Sequence, residues 1–347
     1  MKIVFLCLAI FFLNACANIK MINREPIHEN DGVEVELDKN NTEKATINTE
    51  KPIIVNEETV RIGENGGEVF NNSTLSPQEI DAQDTIKSLR VGLTFGPGLS
   101  RSIAYVEVLK ELERNNIQLN LITGNEFGAI IAALYANGVT PEMIEWMFFK
   151  YFKETKNYQP YTSKWIEEVD EFFLSKLKSV KIEDLKMKYY LTLFDHAQNK
   201  AYFFNKGNVR DLILLSLRST DNALKFKDGK IYSGTFEKEV FNVRLMKSVG
   251  ADFTIAVDSL TGKLNISNDN KDILEMLKLT SLKAHQEKKG FDVVLNLPLQ
   301  DFKLDSGLES SNKIESSNLY TKKQIQLIKK KIKNQLDQIN SKNTLRE

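Results

Sequence analysis

The stretch LITGNEFGAIIAALYANG, residues 121–138, holds the residues most suited to chemistry. Gly124 and Gly128 flank Glu126 in a G-x-x-x-G turn that joins an apolar strand to a helix of small residues. Many acyl hydrolases present a nucleophilic serine on such a turn, because its strained backbone exposes the side chain beside the N-terminus of the helix. A carboxylate therefore stands at the nucleophile position.

Two roles are open to Glu126. As a nucleophile it would need a base to activate water in a second step, and its attack on an ester would form an anhydride. The three histidines, His28, His196 and His285, stand in no recognisable catalytic motif, and we expect surface or turn positions for them. As a structural residue, Glu126 would bring its charge to the exposed N–H groups of the first helical turn. The sequence favours the structural role.

Charge and residue spacing exclude several classes of function. The chain has 47 lysines and arginines against 47 aspartates and glutamates, so no basic field favours nucleic acid. No His or Cys pair stands at the spacing of metal ligands, and the Gly-Pro-Gly turn at residues 96–98 lacks the spacing of a nucleotide-binding loop. We expect no metal, no cofactor and no nucleic-acid partner.

The N-terminal sequence predicts that the protein is located in the cell envelope. Lys2 precedes an apolar run, Ile3–Leu13, that is too short to span a bilayer and fits a signal peptide. The sequence LNAC, ending at Cys16, resembles the lipobox of bacterial lipoproteins, which implies cleavage after residue 15 and lipid on Cys16. An ordinary secretory signal is the alternative. Ala17, in place of Asp, favours the outer membrane of a Gram-negative-type bacterium. Since Cys7 lies in the signal, the mature chain would have no free thiol.

Composition then divides the chain into three parts. Residues 1–15 form the predicted lipoprotein signal peptide. Residues 16–85 are rich in Asn, Glu, Lys and Thr, have no sustained helical apolar stripe and predict a disordered tether. Residues 86–340 show regular hydrophobic periodicity and predict the folded domain, with a lysine-rich surface helix over residues 320–339. That helix could alternatively touch anionic lipid headgroups.

Strands and helices alternate in the folded part. The first strand, LRVGLTF, is followed by a helix, a second strand, the helix after Glu126 and a helix that begins at Pro141. This order predicts an α/β fold with a mainly parallel central sheet flanked by helices. Asp228 and Gly229 form a turn signal. The main predicted strands are residues 89–95, 118–123, 189–195, 251–260 and 291–299.

Three segments together resemble the patatin-like phospholipase family, over roughly residues 89–335. They are VGLTFGPGLSRSIAYVEVLKELERNNI, LNLITGNEFGAIIAALYANGVTPEMIE and DGKIYSGTFEKEVFNVRLMKSVGADFTIAVD. The family has a glycine-rich turn in the first, a G-x-S-x-G elbow in the second, and a D-G-G/A motif before a strand in the third. The resemblance implies the family's three-layer α/β sandwich.

The resemblance also implies acyl-ester hydrolysis by a Ser-Asp dyad. This chain departs from that chemistry, because Glu126 stands at the serine position and Ser233 at the aspartate position. Matching Arg101 to the family's arginine places Pro97, Gly98 and Leu99 at the three glycines of the turn. Pro97 has no N–H to donate, and Leu99 brings a Cβ where the backbone must approach a substrate. We therefore expect the hydrolytic machinery to be dismantled.

These observations predict a membrane-anchored, catalytically degenerate scaffold of lipid acyl hydrolases. Its expected partners are the membrane, through lipidated Cys16, and either a lipid acyl chain or an envelope protein. One alternative is an active lipid acyl hydrolase with a rearranged dyad of Ser233 and Glu126. A second alternative is a purely structural envelope lipoprotein.

Overall fold

The structure, a computed structural model, describes residues 89–155, 159–241, 243–266, 270–305 and 311–344. The predicted signal peptide, the predicted tether and the anchor residue Cys16 lie outside these residues and stay predictions. Among the helices of the described ranges, none has both the length and the apolar character that crossing a membrane requires.

One mixed sheet contains all the strands of the described residues. They are β1 (Val91–Phe95), β2 (Leu121–Gly124), β3 (Lys188–Asp195), β4 (Lys200–Phe204), β5 (Leu224–Lys225), β6 (Ile231–Gly234), β7 (Phe253–Asp258) and β8 (Val293–Asn296). The order is β5-β6-β3-β2-β1-β7-β8, and β4 also pairs with β3. From β3 to β8 neighbouring strands run parallel, whereas β4 and β6 pair antiparallel with β3, and β5 pairs antiparallel with β6.

Helices flank this sheet and connect its parallel strands. They are α1 (Ala104–Arg114), α2 (Phe127–Ala136), α3 (Pro141–Glu154), α4 (Ser163–Val169), α5 (Val209–Ser216), α6 (Val243–Ser248), α7 (Lys271–Glu287) and α8 (Ser311–Thr344). A 3₁₀ turn, Leu99–Ile103, leads into α1, and a π-helical turn, Asp170–Leu174, continues α4. The predicted α/β fold with a mainly parallel sheet is confirmed. The short α6 and β5 were not predicted, because segments of six and two residues are too short to show a hydrophobic period.

The central strands of the sheet have continuous apolar sequences because they are buried. Every residue of β1 and of β7 is buried, as expected of parallel strands that are covered on both faces. Helix α2 is also buried at nearly every position, because it lies between β2 and α3. The helix ends at Ala136 with Asn137 as its C-cap, and Gly138 then adopts a φ of +88°, a conformation that favours glycine.

An aromatic cluster fixes the start of α2. The ring of Phe127 lies 5.2 Å from that of Phe148, 6.0 Å from Tyr151, 5.6 Å from Trp165 and 5.7 Å from Phe173, measured between centroids. The interplanar angles of 64–81° are those of edge-to-face pairs. Because Phe127 directly follows Glu126, this cluster holds the turn in front of α2 in place.

The lysine-rich helix α8 packs along one face and is longer than predicted at both ends. Ile325 and Ile328 are fully buried, and the Gln326 amide donates a hydrogen bond of 2.7 Å to the side chain of Asn115 at the end of α1. Lys323 and Lys330 are exposed on the other side. The helix is thus a surface helix whose apolar stripe belongs to the core. The predicted domain bounds of 86 and 340 stay predictions.

Candidate active site

The turn between β2 and α2, called the elbow here (residues 124–128), keeps the strained geometry of a nucleophile turn. Glu126 has φ +56° and ψ −127°, a backbone conformation that residues other than glycine rarely adopt. The Asn125 amide braces the turn: its Nδ2 donates to the Val240 carbonyl at 2.7 Å, and its Oδ1 accepts from Thr235 at 2.8 Å. The surrounding contacts therefore impose the conformation of Glu126.

Both glycines of the elbow are required by close packing of the backbone. A Cβ on Gly124 would lie 2.4 Å from the backbone of Gly128, and a Cβ on Gly128 would lie 2.7 Å from the carbonyl oxygen of Gly96. Neither obstacle is a movable side chain. The G-x-x-x-G spacing therefore reflects the contact between β1, β2 and α2, whichever residue stands at the centre of the turn.

The Glu126 carboxylate points into the glycine-rich turn (residues 96–102) that follows β1. Its Oε2 accepts hydrogen bonds from the backbone N–H of Gly98 at 2.7 Å and of Leu99 at 3.0 Å. The Tyr161 hydroxyl donates to Oε1 at 3.2 Å. Two backbone donors that converge on one oxygen form the arrangement that stabilises an oxyanion in acyl transfer. A carboxylate of the same chain therefore occupies two converging backbone donors of the kind that stabilise an oxyanion.

Two expectations about this turn are wrong. Pro97 has no N–H, but the donors come from the next two residues, and the Pro97 carbonyl instead accepts from Tyr105 at 3.3 Å and from Ser259 at 3.2 Å. Leu99 carries a Cβ, but a φ of +47° turns its N–H toward Glu126 while its side chain is buried in the core. The substitutions at these two positions leave the donors in place.

The expectation that Glu126 would cap α2 is also wrong. Glu126 is the N-cap residue by position, but its side chain makes no capping hydrogen bond with the helix. At a positive φ the side chain leaves the helix axis and reaches the N–H groups of Gly98 and Leu99 instead. The Glu126 side chain therefore interacts with the glycine-rich turn and not with the N-terminus of α2.

Burial dominates the electrostatics of Glu126. The carboxyl group is fully buried, and desolvation raises its pKa to about 7, although the hydrogen bonds from Leu99, Gly98 and Tyr161 act in the opposite direction. Tyr161, whose hydroxyl donates to the Glu126 carboxyl group, also stacks its ring on that of Phe236, with centroids 5.0 Å apart. Near neutral pH the Glu126 carboxyl group therefore exchanges between its charged and neutral forms inside a closed site.

Arg101 fastens the glycine-rich turn to the loops beside it. Its buried guanidinium donates to the carbonyls of Phe302 at 2.7 Å, Lys263 at 2.8 Å, Ser259 at 3.2 Å and Thr261 at 3.4 Å. Burial lowers its pKa to about 10, so the group remains charged at neutral pH. Arg101 has a positioning role, since its donors are directed at the backbone and away from Glu126.

Ser233, on β6, does not pair with Glu126. Its Oγ lies 2.8 Å from His196 Nε2 and donates to the Gly234 carbonyl at 3.0 Å. Sequence reasoning missed the pair of Ser233 and His196, because it depends on the antiparallel register of β3 and β6, in which Phe194 lies opposite Ser233. His196 lies in the turn after β3, as expected, and is half-buried with a buried hydroxyl as partner.

The pair of Ser233 and His196 lacks other parts of a catalytic triad. Burial, followed by the charge of Lys238, lowers the pKa of His196, so its ring is neutral at pH 7. The adjacent Asp195 accepts from the backbone N–H of Ala197 at 2.9 Å and makes no hydrogen bond with the imidazole. His285 is exposed on α7, and His28 lies outside the described residues. In the part of the chain that is described, no group of acidic, His or Cys side chains could hold a metal ion.

Comparison with known proteins agrees with the sequence motifs. Residues 93–285 match the family model described as patatin-like phospholipase. The protein named lysophospholipase nte1, from Neurospora crassa, is 25% identical over 181 residues, which cover 48% of this chain and 12% of that protein. The chain therefore spans only a small part of this much longer relative.

Two bacterial structures are similar over part of their length. VipD from Legionella pneumophila matches with a TM-score of 0.36 and 10% identity, over 58% of this chain and 55% of its own. Full-length ExoU from Pseudomonas aeruginosa, in complex with SpcU, matches with a TM-score of 0.34 and 12% identity, over 69% and 53%. The family assignment does not depend on these distant similarities. Because the family model covers more than half of the sequence, the chain belongs to the patatin-like phospholipase family.

Proposed function

We propose that this protein is a catalytically degenerate lipid acyl hydrolase that serves as a lipid-binding scaffold at a membrane. The observation that carries the proposal is the pair of hydrogen bonds, 2.7 and 3.0 Å long, between the Glu126 carboxylate and the N–H groups of Gly98 and Leu99. An ester carbonyl that entered the site would find the oxyanion donors already bound to a carboxylate.

The two dyad positions support the same conclusion. Glu126 provides no hydroxyl nucleophile, and Ser233 provides no carboxylate to accept a proton. Family membership, and a relative named lysophospholipase, favour a lipid as the ligand class over an unrelated small molecule. A protein partner in the envelope is the other ligand class that we retain, and the proposal requires no metal or cofactor.

The membrane part of the proposal depends on the N-terminal sequence. A signal peptide over residues 1–15, lipid on Cys16 and a tether over residues 16–85 would hold the domain close to a bilayer while leaving it free to move. Ala17 favours the outer membrane of a Gram-negative-type envelope. Metabolic labelling with a fatty acid, compared between the wild type and Cys16→Ser, tests this part directly.

A second candidate function is an active hydrolase with Ser233 as nucleophile. The observation that favours it is the distance of 2.8 Å from Ser233 to His196, since an adjacent imidazole activates a serine hydroxyl. Its weakness is that Ser233 is fully buried and the described backbone donors are bound to Glu126. A structural envelope protein is the third candidate, and the fully buried position of Glu126 is compatible with it.

The deciding experiment measures hydrolysis of short-chain and long-chain acyl esters by the full chain. We expect no turnover above buffer for the wild type, for Glu126→Ala or for Ser233→Ala. Turnover that disappears in both Ser233→Ala and His196→Ala would support the second candidate. Mass spectrometry of lipids that copurify with the chain then separates the scaffold, which retains lipid, from the structural protein, which does not.

A further inference from the structure

The outward side of α3 exposes an aromatic face that the folded chain leaves uncovered. Met143 is 44% exposed, Trp146 is 59% exposed and Phe149 is 38% exposed, although Phe148 between them is fully buried. The rings of Trp146 and Phe149 stack at 5.5 Å. Soluble domains rarely leave several large apolar side chains together on one short helix, and such patches mark surfaces of interaction. We call Met143, Trp146 and Phe149 the aromatic face.

A groove opens beside the aromatic face, between α3 and the helical turns that follow α4. Its volume is about 380 Å³, within the range of sites for small molecules. Trp146 forms one wall, and Phe172 lies on the opposite side. The charged lining residues are Lys150 and Glu154 on α3, and Glu171 and Lys176 on the facing turns. We call this space the Trp146 groove.

The charges of the Trp146 groove are balanced and unpaired. Among the described residues, Lys150, Glu154, Glu171 and Lys176 form no ion pair of 4.0 Å or less, with each other or with a neighbour. The nearest aromatic contact of these charges is Lys150 Nζ, which lies 5.9 Å from the centroid of the Phe172 ring. Two positive and two negative charges around aromatic walls match a ligand that carries one charge of each sign.

We propose that the Trp146 groove binds the zwitterionic headgroup of a phospholipid at the surface of a bilayer, with the aromatic face in the interfacial layer. The ligand's ammonium group would lie over Trp146, near Glu154 and Glu171, and its phosphate would meet Lys150 and Lys176. Aromatic side chains prefer this layer, where one end of the ring is apolar and the other is wet.

Charge balance selects a zwitterionic surface over an anionic one. Attraction to anionic lipids needs an excess of lysine, as on α8, whereas the groove has as many glutamates as lysines. The inference rests on the proposed function only in taking a lipid surface as the ligand. The groove is separate from the elbow, because the buried side of α3 lies between them.

Tryptophan fluorescence provides a direct test, because the chain has two tryptophans and the other, Trp165, is 1% exposed. The full chain is mixed with phosphatidylcholine vesicles, with and without bromine on the acyl chains as a quencher. We expect the emission to shift to shorter wavelength and to be quenched by the brominated lipid. Both effects should be absent in Trp146→Phe, whose remaining tryptophan is buried.

Matched variants separate the groove from general surface effects. Lys150→Gln/Lys176→Gln should weaken the vesicle titration at least fivefold, whereas Lys278→Gln/Lys289→Gln, which removes two exposed lysines from α7 and the turn after it, should not change it. Likewise, Met143→Ala/Phe149→Ala should weaken it, and Leu279→Ala/Leu282→Ala, two exposed leucines on α7, should not.

The inference is overturned if the chain sediments with phosphatidylcholine vesicles while Trp146 emission stays unchanged, because the contact then lies elsewhere. A shift that appears only with phosphatidylglycerol would replace the zwitterionic ligand with an anionic surface. A shift that a protein partner produces and vesicles do not would make the aromatic face a protein interface. None of these outcomes bears on whether Glu126 blocks hydrolysis, which the ester assay decides separately.

Discussion

The Glu126 carboxyl group accepts hydrogen bonds from both backbone donors that the proposed function assigns to an oxyanion. A serine Oγ at this position would leave Gly98 and Leu99 available to a substrate, whereas a glutamate side chain is long enough to reach both N–H groups itself. These bonds offset part of the free energy needed to bury a carboxyl group. The remainder raises the pKa of Glu126 to about 7.

The raised pKa predicts a pH dependence of stability that Glu126→Gln removes. Because the folded-state pKa of about 7 exceeds the ordinary value of 4.5, folding favours the protonated form. The stabilisation is complete below about pH 4.5 and is lost as the pH rises through about 7. The separation of the two pKa values corresponds to about 3 kcal/mol. Urea unfolding between pH 4.5 and 8 should show a steeper fall for the wild type than for Glu126→Gln.

Glu239 provides the control for that experiment. Burial, followed by the charge of Glu287, also raises its pKa to about 7, so Glu239→Gln should remove a separate part of the same fall. The double variant should then be the least dependent on pH. Equal slopes for the wild type and Glu126→Gln would show that the Glu126 carboxyl group is not buried as described.

The four hydrogen bonds of the Arg101 side chain predict that even a conservative substitution at this position causes a large loss of stability. Lys has one ammonium group and cannot donate to four carbonyls in different directions, so Arg101→Lys leaves buried acceptors unsatisfied. We expect a loss of about 3 kcal/mol in the free energy of unfolding, measured with urea. Arg90→Lys, at the exposed ion pair with Asp252, is the matched control and should cost less than about 1 kcal/mol. Equal losses would refute a clamping role for Arg101.

Residue types predicted some parts of this site and not others. Gly124, Gly128 and Arg101 could be identified because each occupies a motif position with a fixed backbone or packing requirement. The direction of the Glu126 side chain could not, because it depends on a positive φ and on a turn 27 residues earlier. The loss of donors was inferred from Pro97, yet the donors belong to the residues after it.

The unit from β2 to α2 is built by close backbone contact. Gly124→Ala would bring a Cβ to 2.4 Å from the Gly128 backbone, which has no side chain that could move away. We expect a loss of at least about 3 kcal/mol, or failure to fold, by thermal and urea unfolding.

Gly229→Ala is the comparison for that variant. Gly229 has φ +85° but open space around its Cβ position, so only the backbone conformation is penalised, by about 1–2 kcal/mol. Similar losses for the two variants would show that contact with α2 is not what requires glycine at residue 124, since Gly124 itself has no positive φ.

Hydrophobic periodicity predicted the elements of this fold better than their pairings. The buried runs of β1 and β7 and the apolar stripe of α1 carry clear periods, and the predicted strands and helices appear there. The register of β3 with β6 leaves no such period, because β6 has only four residues and pairs with β3 at three of them. The contact of Ser233 with His196 follows from that register and was therefore missed.

For the whole molecule, family membership and the proposed loss of hydrolysis are compatible, because different residues determine the fold and the chemistry. The sheet, the aromatic cluster around Phe127 and the buried stripe of α8 stabilise the fold without Glu126 or Ser233. Two positions could therefore lose their catalytic residues while the elbow kept its strain and the glycine-rich turn kept its donors. The proposed function then describes a hydrolase scaffold in which Glu126 and Ser233 replace the nucleophile and the proton acceptor.

Ester hydrolysis by Glu126→Ser/Ser233→Asp, measured beside the wild type in one assay, shows whether these two positions prevent turnover. We expect no turnover for the wild type and measurable turnover, at least tenfold above it, for the double variant, because the donors of Gly98 and Leu99 become free for the oxyanion. Wild-type turnover that the double substitution lowers would refute the proposed function, and so would a folded double variant with no activity.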